Sequence, residues 1–190
     1  LHTLPVLPKS DVIAINDFFL PFLAPLRKTH LGKIIAIVGR YPKGQYRFYK
    51  NVDGIVVPSS AIHDAIASQA PICKDKLKLI PYPIDTETFS FLEDVSIEER
   101  ANTILYVGRV HPEKGLHLLI DAFKEVQSKN LGVKLRIIGP FEAAQGGGGK
   151  SYFDSLKDAS QNLNIEFVGP IFDTKRLSNE YNRASVFCYT

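Results

Sequence analysis

The sequence predicts an α/β fold made of two successive parallel-sheet series, on three observations. Short β-rich runs alternate with helical periodicities along the chain, the pattern left by crossover connections between parallel strands. Apolar runs end abruptly at glycine, as at Gly108 and Gly139. An acidic, weakly periodic stretch over 91–102 then separates one series from the other and reads as a solvated linker. The expected organisation is a partial first domain over 1–92, a linker over 93–102 and a partial second domain over 103–190.

In the first series, strands are expected over 12–16, 33–38, 54–57 and 76–80. A helix is expected over 59–69, where Ser59 and Ser60 suit the N-cap because a short hydroxyl accepts from an otherwise unpaired backbone N–H. In the second series, strands fall over 103–107, 134–138, 166–168 and 186–189, and helices over 115–129, 151–163 and 173–183. The helix from 115 carries Leu116, Leu119, Ile120, Phe123 and Val126 at i, i+3, i+4, i+7 and i+10, so it should lie on a sheet. About four strands per half is fewer than the five or six of a doubly wound domain, so both halves read as incomplete. Two such halves would face a cleft, and ligands of open parallel sheets bind beyond the carboxyl ends of strands.

Composition narrows the function. Of 190 residues, 45% are apolar and 23% charged, which describes an ordinary globular chain. The longest apolar stretches fall far short of the roughly 18 residues of a membrane span. The first eight residues show no export signal. Cys73 and Cys188 are too few for a disulfide framework or a zinc site, and a reducing compartment fits two ordinary thiols. A net charge of +3 is too small to argue for nucleic acid. One local cluster stands out, since residues 40–50 interleave four cations with four aromatics. It suits anionic lipid head groups or a phosphate-bearing acceptor; the alternative is a solvated loop with its aromatics turned inward.

The most informative run is ILYVGRVHPEKGLHLLIDAF, residues 104–123. A strand breaks at Gly108, Arg109 and Lys114 follow five positions apart, and Gly115 opens an amphipathic helix. A helix N-terminus offers N–H groups and a positive dipole end to an anion, while Arg adds a bidentate fork and Lys a point charge. The expected chemistry is a diphosphate grip; the alternative is a loop with two solvated cations. Gly108, Arg109, Lys114 and Gly115 fall in register with the G-R-x-x-x-x-K-G signature of family 4 glycosyltransferases, which the run resembles. VDGIVVPSS (52–60), LIPYPIDTETF (79–89), LRIIG (135–139) and IEFVGPI (165–171) resemble further segments of that family in the same order. Five motifs in order are far more specific than any one of them.

The resemblance implies a GT-B architecture, two Rossmann-like parallel-sheet domains facing a cleft, and a retaining transferase. It implies that the enzyme takes a sugar from a nucleotide diphospho-sugar, UDP-sugar being favoured by family frequency, to a saccharide or lipid-linked hydroxyl. Arg109 and Lys114 would serve the departing diphosphate, with Gly108 and Gly115 allowing close backbone approach. Gly139 and Pro140 would border the nucleotide, and Pro170 and Ile171 would face the base. No cofactor is implied, the donor being a substrate, and the absence of an Asp-x-Asp pair predicts metal independence. A cytoplasmic location follows, with peripheral contact at the inner membrane face left open. The chain reads as the middle of a longer protein, because the family continues past residue 190 with a Glu-x7-Glu segment that contacts the sugar.

The sequence departs from the family on the acceptor side. Asn16 stands where many members carry a histidine, Asp17 follows it, and Gly39 and Arg40 replace a second histidine. Asn16 can hydrogen-bond a sugar but cannot act as a base, whereas Asp17 can. Asn16, Asp17 and Arg40 are therefore the acceptor-side candidates. The alternatives are a sugar-nucleotide epimerase of the same build and a non-catalytic nucleotide-sugar-binding piece. His30, His63, His111 and His117 form no recognisable catalytic set. The run GGGGKS over 146–151 fails as a P-loop because Ala144 occupies the first required glycine, and it reads as a mobile insertion.

Overall fold

The structure, a computed structural model, describes residues 9–16, 31–100, 102–129 and 132–189. The chain forms two compact units, 1–83 and 84–190. In the first, strands β1 (Ser10–Ile15), β2 (Leu31–Ile37), β3 (Gly54–Val57) and β4 (Leu77–Leu79) lie parallel in that order. Helix α1 (Ser60–Gln69) starts where expected, with the Ser59 hydroxyl accepting from Ile62 N at 3.3 Å. Asp53 closes β2 from the side: its carboxylate accepts from Ile34 N and its own N–H donates to Ile34 O, both at 2.8 Å. Ile34, Ala36, Ile55, Val57, Ile66 and Cys73 fill the core.

The second unit holds β5 (Thr103–Val107), β6 (Lys134–Ile138), β7 (Ile165–Gly169) and β8 (Val186–Phe187), parallel in the order β7-β6-β5-β8. Helices α2 (Ile97–Arg100), α3 (Leu116–Lys129), α4 (Lys150–Ala159) and α5 (Thr174–Asn182) accompany the sheet. An α/β fold with two parallel sheets is thus what the alternation predicted. Four of the five apolar positions of α3 are buried, but Val126 is 41% exposed. Ten residues at 3.6 per turn stop about 80° short of whole turns, which swings Val126 off the stripe.

Two expectations change. The stretch over 93–102 contains α2, and the chain from residue 84 onward belongs with the second unit. The Asn182 side chain accepts from Leu92 N at 2.8 Å and donates to Ser90 O at 3.0 Å. Arg100 donates to Val95 O and Leu92 O and stacks 4.0 Å over Phe91. A partner 90 residues away is invisible to a local reading. The glycine run is likewise no loose insertion: Gly147, Gly148 and Gly149 donate to Glu142 O, Val110 O and Phe141 O at 2.8–2.9 Å. A Cβ on Gly147 would meet Phe141 backbone at 2.2 Å, while Gly146 and Gly149 sit at φ 79° and 83°, where glycine is favoured.

Candidate functional site

The carboxyl ends of β5, β6 and β7 meet through glycine. Gly108 N donates to Ile138 O at 2.9 Å and Gly139 N to Gly169 O at 3.0 Å. The pairing of β6 with β7 skips a residue at Ile137/Ile138, which brings Gly169 opposite Ile138. Gly139 sits at φ 149°, and a Cβ there would stand 1.9 Å from Gly108 O. No other residue type fits that approach. Val110 N donates to Pro140 O at 2.9 Å, so Gly108, Arg109, Gly139, Pro140 and Gly169 form one continuous rim. Beneath it, Gly139, Gly169, Val110, Phe141, Phe153 and Phe167 line a cavity of about 380 Å³. Phe141 and Phe153 stack with centroids 4.1 Å apart, and Phe167 meets Phe153 edge-on. Pro170, exposed, and Ile171, half-buried, follow at the rim.

Arg109 leaves the rim in a defined direction. Its Nη1 donates to Gly146 O at 2.8 Å and its Nη2 pairs with Glu113. The ion pair is half exposed on both sides, and such pairs contribute at most about 1 kcal/mol, so an anion of higher charge can take over the guanidinium. His111 accepts from Glu113 N through Nδ1 at 3.2 Å and fixes the short helical turn of residues 112–114. Gly115 closes that turn at φ 64°, a left-handed conformation glycine adopts without cost. Its role is thus the turn before α3 rather than the helix itself. Lys114 Nζ meets Tyr189 Oη at 2.9 Å, at the end of β8. Tyr106, buried under Gly108, donates to Arg109 O at 3.2 Å. Burial, then the neighbouring Tyr189, pushes its phenol up to about 12, so it stays a neutral donor.

In the first unit, Asn16 and Arg40 line one cavity of about 760 Å³ at the carboxyl ends of β1 and β2, with Tyr41, Lys43, Gln45 and Tyr46. Asp17 lies outside the described residues. Half of the aromatics of residues 40–50 turn inward, Tyr46 and Tyr49, while Tyr41 and Phe48 are exposed. Local reading missed Glu113, Tyr189, Gly146 and the aromatic floor. Only Glu113, four residues from Arg109, carried a signal. Among the described residues no helix is long and apolar enough to cross a membrane, and no three His, Cys, Asp or Glu side chains cluster to hold a metal.

Known proteins resemble this chain in sequence and in fold. The model of the family "Glycosyl transferases group 1" matches residues 89–190. Lipopolysaccharide 1,2-N-acetylglucosaminetransferase of Salmonella typhimurium is 26% identical over 120 residues, 60% of this chain and 31% of that protein. The capsular polysaccharide biosynthesis glycosyltransferase CapM of Staphylococcus aureus is 30% identical over 105 residues, 52% of this chain and 26% of its own length. Anabaena HepE in complex with UDP and glucose superposes with a TM-score of 0.69 at 15% identity, over 95% of this chain and 52% of HepE. TarM superposes at 0.71 and 14% identity, over 99% of this chain and 38% of TarM. At such identities these structures establish the fold. The chain spans about a third or less of these curated relatives and up to about half of these structures.

Proposed function

The chain belongs to the glycosyl transferases group 1 family, and from that premise we propose that its protein transfers a sugar from a nucleotide diphospho-sugar, UDP-sugar foremost, to a hydroxyl of a saccharide or lipid-linked acceptor, with retention and without a metal. The observation that carries this reading is the rim: glycine backbones at three strand ends, with Arg109 on it, held by Gly146 O and Glu113, and the N-terminus of α3 just beyond. In this reading Arg109 and Lys114 hold the diphosphate and take up charge as it departs, which is where a preorganised cation lowers the barrier. Gly108 and Gly115 let backbone approach the phosphates, and Gly139, Pro140, Pro170 and Ile171 border nucleotide and base. The complex of HepE with UDP and glucose supports a uridine nucleotide on this fold. Acceptor-side groups are Asn16, Asp17 and Arg40, and the donor's leaving phosphate serves as the base.

The test is a panel of UDP-, GDP- and ADP-sugars assayed for thermal stabilisation and then for transfer by the whole protein. A ligand at 100 times its Kd raises stability by about 2.7 kcal/mol, so a true donor separates clearly from the rest. UDP-sugars should stabilise most, and the stabilising sugar should be transferred. Nucleotide release without any acceptor would favour an epimerase instead, and no stabilisation by any nucleotide sugar would sink the proposal.

A further inference from the structure

The tripeptide Val-Gly-Arg occurs twice, each time at the end of a parallel strand. Val107, Gly108 and Arg109 close β5; Val38, Gly39 and Arg40 close β2. Both copies continue through a proline to a Lys-Gly pair, Lys114-Gly115 in one and Lys43-Gly44 in the other. Both glycines sit in the left-handed region, at φ 64° and 83°. The second unit's copy is the proposed diphosphate grip, so the first unit carries the same kind of residues on the same kind of backbone.

The two copies differ in charge balance. Arg109 faces Glu113, whereas residues 31–52 hold Lys33, Arg40, Lys43, Arg47 and Lys50 and no acid. Neither the Arg40 nor the Lys43 side chain forms an ion pair among the described residues, although Lys124, Arg136 and Lys150 all do. Both cations line the 760 Å³ cavity with Asn16, Tyr41, Gln45 and Tyr46, a volume in the range of small-molecule sites. The loop that carries them is fastened down. Gly44 N donates to the Gln69 side chain at 2.7 Å, Gln69 donates back to Pro42 O at 3.4 Å, and Cys73 Sγ donates to Tyr46 O at 3.3 Å. Cations on a fixed backbone lose less freedom when they bind than cations on a loose one.

We propose that the acceptor is a charged sugar, and that Arg40 and Lys43 grip its phosphate or carboxylate while Asn16 and the tyrosines receive the ring. This rests on the transferase reading, and it adds the acceptor's class. Arg40 offers the planar fork that pairs with two oxygens of an oxyanion, and Lys43 the second charge. Asn16 and Gln45 supply amides for hydroxyls, and tyrosine rings a flat apolar surface. Neutral acceptors leave two cations in the cavity without a partner, which is how such a site discriminates against them.

The experiment titrates the whole protein with glucose 6-phosphate, glucuronic acid, glucose and inorganic phosphate, at low and high salt, and separately with UDP and with phosphatidylglycerol vesicles. The wild type should bind the two charged sugars roughly tenfold or more tightly than glucose, the usual worth of a charged hydrogen bond, and tighter than phosphate alone. High salt should shrink the preference. Arg40→Ala and Lys43→Ala should each abolish most of it while circular dichroism stays native, and Arg40→Lys should restore part. Equal binding of glucose and its charged relatives overturns the proposal, as does a preference that survives the double alanine variant. Binding of phosphate as tight as that of glucose 6-phosphate also overturns it, as does capture by phosphatidylglycerol vesicles without preference among the sugars. Loss of UDP binding by the wild type would instead count against the transferase reading.

Discussion

Arg40 and Arg109 follow the same two residues at the ends of parallel strands, yet they keep different company. Arg109 is held by Glu113 and by Gly146 O, from a glycine run that folds back onto the turn carrying it. Arg40 has a cavity before it and no carboxylate partner among the described residues. The difference teaches how one local design can stand in two different settings. A guanidinium with an exposed carboxylate partner is aimed and can be handed over to a doubly charged phosphate, since an exposed pair is weak. A guanidinium that meets no carboxylate among the described residues keeps its attraction for an anion that enters the cavity. The family model matches residues 89–190, in the unit with Arg109.

The largest expected effects test whether the two units stand on separate cores. Phe123→Ala should cost the second unit about 3–5 kcal/mol and Ile66→Ala the first about 2–5 kcal/mol, the usual range for emptying a well-packed core position. Both side chains are almost fully buried. Amide hydrogen exchange should show each loss confined to its own unit. Loss of protection throughout from either substitution would mean that the two units fold as one.

Next in size is the proposed donor grip. Arg109→Ala and Lys114→Ala should each weaken UDP-sugar binding by about 1.5–3 kcal/mol, read by calorimetry, and Lys114→Arg should recover only part. If both alanine variants bind UDP as the wild type does, the phosphate assignment fails and with it the contrast with Arg40.

A smaller effect appears at high pH, and both units contribute to it. Burial, first among the causes, raises Tyr46 and Tyr106 from 10 to about 12. The folded state favours the neutral phenol, so this contribution is complete below pH 10 and is lost as pH rises towards 12. Urea denaturation followed by circular dichroism should show stability falling across that window. Tyr46→Phe should flatten the fall in the first unit and Tyr106→Phe in the second; an unchanged slope in both would refute the burial argument.

The smallest expected effect is none. In the proposed grip two cations offset diphosphate charge that a divalent ion otherwise neutralises, so EDTA should leave UDP-sugar affinity and transfer as they were. Activity lost to EDTA and recovered with manganese would show that Arg109 and Lys114 do not suffice.

The sequence by itself determined the alternation of strands and helices, the buried stripe of α3, the Ser59 cap and the place of Arg109 beyond a strand end. These follow from periodicities and caps spanning a few residues, and each survives any arrangement of the rest. The repeat of Val-Gly-Arg was equally readable in the letters, but nothing local said that one copy faces an acid and a folded glycine run while the other faces a cavity. Tertiary structure alone decided that Gly146 receives Arg109, that Tyr189 meets Lys114 across 75 residues, and that Asn182 fastens the supposed linker to α5. The Asn182 pairing depends on which backbone groups remain unsatisfied once the sheet has formed. A buried N–H or carbonyl must find a partner wherever the chain brings one, and sequence spacing carries no record of that choice.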